Sequence, residues 1–258
     1  MVHTARKRFG QNFLHDHNII SQILDSAQLE AKQHWVEIGP GLGALTEPLL
    51  KSGVELDVVE LDRDLVALLK NKFQGYGNLR IHSADALKFE FAALVSDAHK
   101  LRIIGNLPYN ISTPLMFHLL ANANIIEEMY FMLQKEVVDR ICSQPGSKVF
   151  GRLSVMMQSF CAAEWLFDVP PESFAPIPKV TSAVIRLTPH AQVPSASNTA
   201  RLNQVVTLAF SQRRKTLRNA LKTILSEDAI AALGIDPSLR PEALSLEDFV
   251  KLSFSIID

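Results

Sequence analysis

The chain has 258 residues, 47% hydrophobic and 21% charged, with 26 basic against 27 acidic side chains and a mean hydropathy of +0.10, the profile of an ordinary soluble globular protein. A chain this long buries a sizeable core without disulfide staples and makes one large domain or two unequal ones. Cys142 and Cys161 lack any CxxC pairing, so free thiols in a reducing compartment are expected and zinc fingers are excluded. No apolar run approaches the ~18–20 residues of a bilayer span. The opening Met-Val-His-Thr-Ala-Arg-Lys-Arg has no apolar stretch behind it, and a cytoplasmic location without membrane contact is expected.

Between about residue 34 and residue 187, short apolar runs alternate with helical patterns, as in a mostly parallel sheet with crossover helices. Seven strands are predicted, at residues 34–38, 56–60, 79–82, 101–105, 129–133, 163–167 and 182–187. The last two are separated by no helical pattern, only a loop bearing Pro170, Pro171, Pro176 and Pro178, and a hairpin closing the sheet is expected there. Residues 189–199, polar and proline-bearing, read as a linker. Beyond it the pattern is helical throughout, with Leu202, Val205, Val206, Ala209 and Phe210 at helical spacing, then Leu217, Leu221, Ile224 and Leu225, then residues 244–254. The expected layout is an α/β domain over residues 1–190 and a small all-α domain over residues 199–258.

The near-zero net charge conceals two local excesses. Residues 1–8 hold Arg6, Lys7 and Arg8 without an acid, and residues 201–222 hold Arg201, Arg213, Arg214, Lys215, Arg218 and Lys222, again without one. Polyanion binding needs concentrated positive charge, not a basic total, so Arg6, Lys7, Arg8, Arg213, Arg214, Lys215 and Arg218 are candidate nucleic-acid contacts. Their spacing predicts that several of the second group share one or two helix faces.

The run Glu37-Ile38-Gly39-Pro40-Gly41-Leu42-Gly43 falls where a strand gives way to a helix, and such glycines let backbone approach a ligand closely. Gly39, Gly41 and Ala44 satisfy a loose dinucleotide fingerprint, and Glu60, about twenty residues on, suits ribose hydroxyls. Both NAD and S-adenosylmethionine carry that ribose. Glu37 favours the second, because a carboxylate repels pyrophosphate at a helix N-terminus and attracts an ammonium or sulfonium. Asp85, after the third strand, suits an adenine amino group or, more plainly, a helix N-cap. After the fourth strand comes Gly105-Asn106-Leu107-Pro108-Tyr109, at an edge where strand ends face the ligand crevice.

At this point the chain resembles the S-adenosylmethionine-dependent ribosomal RNA adenine dimethyltransferases, most closely those of the small-subunit type. The resemblance rests on eight motifs in order, at residues 6–14, 37–43, 60–64, 105–114, 132–138, 151–155, 178–184 and 212–221, among them Arg-Lys-Arg-Phe-Gly-Gln-Asn-Phe-Leu and Gln-Arg-Arg-Lys-Thr-Leu-Arg-Asn-Ala-Leu. Phe150 departs from the family, where Tyr is expected.

The resemblance implies a class I methyltransferase fold, Rossmann-like, with a seven-stranded mostly parallel sheet and a small all-α C-terminal domain for RNA recognition. It implies S-adenosylmethionine as cofactor, with Asn12 and Leu14 closing its pocket, Gly39 lining it, Glu60 on the ribose, Asp85 on adenine, and Asn106 between cofactor and target base. It also implies dimethylation at N6 of two adjacent adenosines in the 3′-terminal hairpin of 16S rRNA, on a precursor of the small ribosomal subunit, by a monomer with a role in subunit biogenesis. Asn106 and the Leu107 carbonyl would accept the adenine amine's N–H bonds, Pro108 would aim that carbonyl, and Tyr109 and Phe174 would stack on the two faces of the flipped base.

Three other functions stay open on residues alone: an adenine methyltransferase acting on DNA or large-subunit RNA, a nicotinamide-dependent oxidoreductase, and a binding factor for immature subunits. No metal is expected. His15 and His17 suit a surface loop better than a ligand pair, and His82 and His118 suit structural roles.

Overall fold

The protein, seen as a computed structural model, is described over residues 11–95, 99–212 and 214–256. All seven predicted strands form: β1 (His34–Ile38), β2 (Glu55–Glu60), β3 (Leu79–Ser83), β4 (Leu101–Asn106), β5 (Ile126–Gln134), β6 (Cys161–Val169) and β7 (Ser182–Pro189). β1 and β2 are buried from their second residues onward, as in parallel strands covered on both faces.

The sheet order is β3-β2-β1-β4-β5-β7-β6. β1 pairs in parallel with both β2 and β4, and the chain direction across the sheet reverses between β1 and β4. In open α/β sheets the ligand crevice lies beyond the strand ends at such a switch point. β7 runs antiparallel to β5 and is inserted between β5 and β6, so the last two strands are neighbours but do not simply extend the edge as a hairpin. Their connection holds a two-residue strand, Phe174–Ala175, paired antiparallel with Phe13–Leu14.

Helices α1 (His17–Ala27), α2 (Thr46–Lys51), α3 (Arg63–Lys72), α4 (Ser112–Leu120) and α5 (Lys135–Ile141) accompany these strands. The Asp16 side chain caps α1 by accepting from the Asn18 and Ile19 amides, while Ile19, Ile20, Ile23 and Ala27 face the core. His15 and His17 flank this cap on the exposed surface.

The remaining helices are α6 (Arg152–Phe160), α7 (Ala196–Phe210), α8 (Leu217–Ala220), α9 (Glu227–Ala232) and α10 (Leu246–Phe254). Ser195 caps α7, which therefore starts inside the stretch that reads as a linker. The chain forms two compact units. One comprises the described residues up to Val138 with Glu164–Pro189, and the other Asp139–Ala163 with the described residues from His190. Phe150 is buried in the second unit edge-on to Phe210, which stacks on Phe249 at 5.6 Å. Neither cysteine is in a disulfide.

The sheet also encloses a carboxylate that periodicity does not reveal. Asp57, fully buried on β2, accepts from Nε2 of His34 and of His82, each at 2.6 Å, and from the Arg80 guanidinium at 2.8–3.2 Å. Burial alone would raise its carboxyl, but these three partners hold it well below the usual carboxylate range. His118 bonds the Phe89 carbonyl.

Candidate active site

The end of β1 runs into the glycine loop, where Gly39 adopts φ +68° and donates its N–H to the Val59 carbonyl. Glu60, at the end of β2, is buried. One of its carboxylate oxygens accepts from the Asp62 amide at 2.8 Å and the other from the Gly41 amide at 3.4 Å. Burial raises its carboxyl above the ordinary value. Asp85 follows β3 in a turn, not a helix, with Oδ1 accepting from the Leu87 amide at 3.0 Å.

Asn106 ends β4. The residue before it must be glycine, because a Cβ at Gly105 would stand 2.6 Å from the Ile38 carbonyl oxygen. Asn106 therefore comes close to the glycine loop: a Cβ at Gly39 would lie 3.9 Å from the Asn106 carbonyl. The Asn106 side-chain Nδ2 donates to the Asn12 carbonyl at 2.9 Å, which leaves Oδ1 as the acceptor on the other side of the amide. Leu107 donates its N–H to Met132, Pro108 accepts from Ile111, and the Ser112 hydroxyl donates to the Tyr109 carbonyl. The Asn-Leu-Pro-Tyr segment is thus braced on three sides.

These elements enclose a cavity of about 340 Å³. Asn12, Leu14, Gly39, Glu60, Asp85, Asn106, Leu107, Pro108 and Tyr109 all line it, so all but one of the residues proposed for cofactor or base meet in one place. The described lining carries three carboxyl groups, Glu37, Glu60 and Asp85, and no Lys, Arg or His. A doubly negative pyrophosphate fits such a wall badly, whereas a phosphate-free cation with a ribose and an adenine fits well.

Glu37 plays a different part from the one its sequence position implies. It is buried, accepts from the Thr46 hydroxyl of α2, and is pushed up to about 8 by burial, with neighbouring Glu60 adding to the rise. At neutral pH it is a neutral acid. It is the lack of a basic side chain in the described lining, and not a Glu37 charge, that disfavours phosphate.

Phe174 is the residue that stands apart. It is 1% exposed, belongs to the core cluster with Leu14 and Val184, and does not line the cavity. Among the predicted RNA contacts, Arg6, Lys7, Arg8 and Arg213 lie outside the described residues. Arg214, Lys215 and Arg218 are exposed, but only Arg218 is helical, because α7 stops at Phe210 and α8 starts at Leu217. The expected shared helix face does not form. Arg218 also pairs with Glu227 at 3.1 Å, an acid just beyond the window in which the cluster reads as purely basic.

Four contributors escape the sequence reading. Thr46 gives no motif signal. Ser182 lies within the quoted motif at 178–184, yet nothing in that run says that its hydroxyl reaches Tyr109. Leu61 and Ala86 line the cavity one residue beyond Glu60 and Asp85, as strand-end neighbours of a ligand do.

A sheet of this order, with an acidic cleft whose described lining holds no basic side chain at its switch point, defines an S-adenosylmethionine-dependent methyltransferase. The family model for ribosomal RNA adenine dimethylase matches residues 2–258, and the chain belongs to that family. It is 54% identical over 256 residues to the Ribosomal RNA small subunit methyltransferase A of Marinomonas sp. (strain MWYL1), covering 99% of this chain and 96% of that protein. To the protein of the same description from Pseudomonas aeruginosa it is 56% identical over 252 residues, 97% of this chain and 94% of that one. Among solved structures, a dimethyladenosine transferase from Plasmodium falciparum shares the fold at TM-score 0.78 and 24% identity, covering 93% of this chain and 95% of that one. The 23S rRNA methyltransferase ErmE matches at TM-score 0.72 and 25% identity, over 95% and 99% of the two chains. Among the described residues no helix is long and apolar enough to cross a membrane.

Proposed function

We propose that this chain transfers methyl groups from S-adenosylmethionine to N6 of two adjacent adenosines in the 3′-terminal hairpin of 16S rRNA, acting as a cytoplasmic monomer on a precursor of the small ribosomal subunit. The observation that carries the proposal is the placement of Asn106-Leu107-Pro108-Tyr109 across one cavity from Gly39, Glu60 and Asp85. Relatives of the small subunit methyltransferase A type, more than half identical along nearly the whole chain, support the choice of RNA.

The cofactor supplies an electrophilic methyl group on a sulfonium. This chain's residues supply position. Glu60 takes ribose hydroxyls and Asp85 the adenine amine, while Asn12 and Leu14 form the wall beside them. Adenine's own amine is a poor nucleophile because its lone pair is delocalised into the ring. Asn106 Oδ1 and the Leu107 carbonyl accept its two N–H bonds and so favour a pyramidal nitrogen with its lone pair aimed at the methyl group. Pro108 restricts the backbone that presents that carbonyl. Tyr109 stacks on one face of the base, an interaction worth ~1–3 kcal/mol. Phe174, buried and outside the cavity lining, stacks on the other face only in a rearranged site. Arg6, Lys7, Arg8, Arg213, Arg214, Lys215 and Arg218 grip phosphates. No strong base is required, since the methylated amine is acidic enough to lose its proton.

The test supplies labelled S-adenosylmethionine and the chain to under-methylated small subunits, large subunits and duplex DNA. Label entering small-subunit RNA alone is expected. Label entering only large-subunit RNA or DNA contradicts the proposal.

A further inference from the structure

The hydroxyls of Tyr109 and Ser182 lie 2.8 Å apart although 73 positions separate them in the chain. Ser182 opens β7 and is fully buried. Because β7 runs antiparallel to β5, its first residue arrives at the sheet edge where the parallel strands end. Ser182 pairs with Gln134, Val184 pairs with Met132, and Met132 is the β5 partner of Asn106, so Ser182 stands two residues beyond the level of Asn106, toward the cavity edge.

The Tyr109 ring is thus held at two ends. Its backbone end is fixed by the Pro108 turn and by the Ser112 hydroxyl on the Tyr109 carbonyl, and its phenol end meets Ser182. Burial raises the phenol above its ordinary value, so the pair is a neutral donor and acceptor. An aromatic ring anchored only through Cα can swing about its side-chain torsions. A second anchor at the para position stops the swing about the first torsion before any base arrives, and preorganisation of this kind is spent on the reacting geometry.

We propose that Ser182 is a positioning residue for methyl transfer: its hydroxyl holds the Tyr109 ring at the place where the target adenine stacks. The proposal rests on the reading of this cavity as an adenine-methylating site. Phe174 lies in the connection between β6 and β7, and Ser182 is the first residue of β7 after it.

The experiment measures steady-state methylation of under-methylated small subunits by the wild type, Ser182→Ala, Ser182→Thr, Tyr109→Phe, the Ser182→Ala/Tyr109→Phe double variant and Tyr109→Ala, with calorimetric binding of S-adenosylmethionine to each. Ser182→Ala and Tyr109→Phe are each expected to lower kcat about tenfold, the value of one neutral hydrogen bond, with subunit KM and cofactor Kd unchanged. Ser182→Thr restores kcat, and the double variant falls no further than either single one. Wild-type kcat in Ser182→Ala, or effects that multiply in the double variant, overturns the proposal. Should Ser182→Ala fail to fold, Tyr109→Phe breaks the same bond from its more exposed end, and wild-type kcat there overturns it equally. An inactive Tyr109→Ala beside a fully active Ser182→Ala removes only the role of Ser182, whereas a fully active Tyr109→Ala removes the reading of the site itself.

Discussion

The side-chain nitrogen of Asn106 donates to the backbone carbonyl of Asn12, 2.9 Å away. This bond orients the amide: with the NH₂ group committed to Asn12, the oxygen is the end left to accept from a substrate amine. It also ties the segment containing Asn12 and Leu14 to the residue proposed to lie between cofactor and base.

Exchanging that amide for a carboxylate sets two acceptors against the Asn12 carbonyl. Asn106→Asp is therefore expected to lose about 10²-fold in kcat, in the range of removing one preorganised polar group, and Asn106→Ala a similar amount. S-adenosylmethionine affinity, read by calorimetry, falls less in both. Either variant methylating at the wild-type rate would remove Asn106 from the chemistry.

Glu37 makes stability depend on pH in a defined direction. Its carboxyl titrates near 4.5 when unfolded and about 8 when folded, so between those values the native state holds a proton that the unfolded state has released. Its stabilising contribution is complete below pH 4.5 and is lost as pH rises to about 8. Asp57 acts oppositely, since its folded carboxyl is held below 3.8 and its contribution is lost only as pH falls below that value. Urea titrations from about pH 5.5 to about pH 8.5 should show Glu37→Gln flattening the decline, because the amide oxygen still accepts from Thr46 without a charge to bury. An unchanged slope in Glu37→Gln contradicts the assignment.

Phe174 carries two roles that substitutions can separate. As a fully buried ring it should cost about 3–5 kcal/mol on truncation to Ala, read from the denaturation midpoint. Phe174→Leu refills much of the space and should recover much of that stability, while kcat stays low if the ring also meets the base. Recovery of kcat together with stability would leave Phe174 a packing residue only.

For the basic cluster, the quantity to read is the salt dependence of RNA affinity. Removing Arg214 and Lys215 should flatten the log–log slope by ~0.7 for each single-strand phosphate that the variant no longer neutralises. Arg218→Ala alone should change it least, because Glu227 already balances that guanidinium. A slope unmoved by the Arg214→Ala/Lys215→Ala variant means those side chains only solvate the turn between α7 and α8.

The strands were legible because a buried parallel sheet writes itself as contiguous apolar runs, and His34–Ile38 begins and ends where its apolar pattern does. The cavity residues were legible because strand ends and glycines mark a switch point, which brought Gly39, Glu60, Asp85 and Asn106 together from widely spaced motifs. Bonds across the sheet were not legible. Asp57 gathers His34, Arg80 and His82 from the two strands that flank its own, and Tyr109 finds Ser182 through strand order, which no local pattern encodes. The protonation of Glu37 was hidden for the same reason, since its charge depends on burial and on Glu60. The shared helix face expected for the cluster at residues 213–218 failed on a boundary: α7 ends before the basic residues begin.

A crystal structure of the chain grown with S-adenosylmethionine tests the central claim most directly. The account predicts the donor in the cavity between the glycine loop and β4, its ribose on Glu60, its adenine beside Asp85 and its methyl group facing Asn106. A donor bound away from Asn106, or with its methyl group turned from that residue, contradicts it.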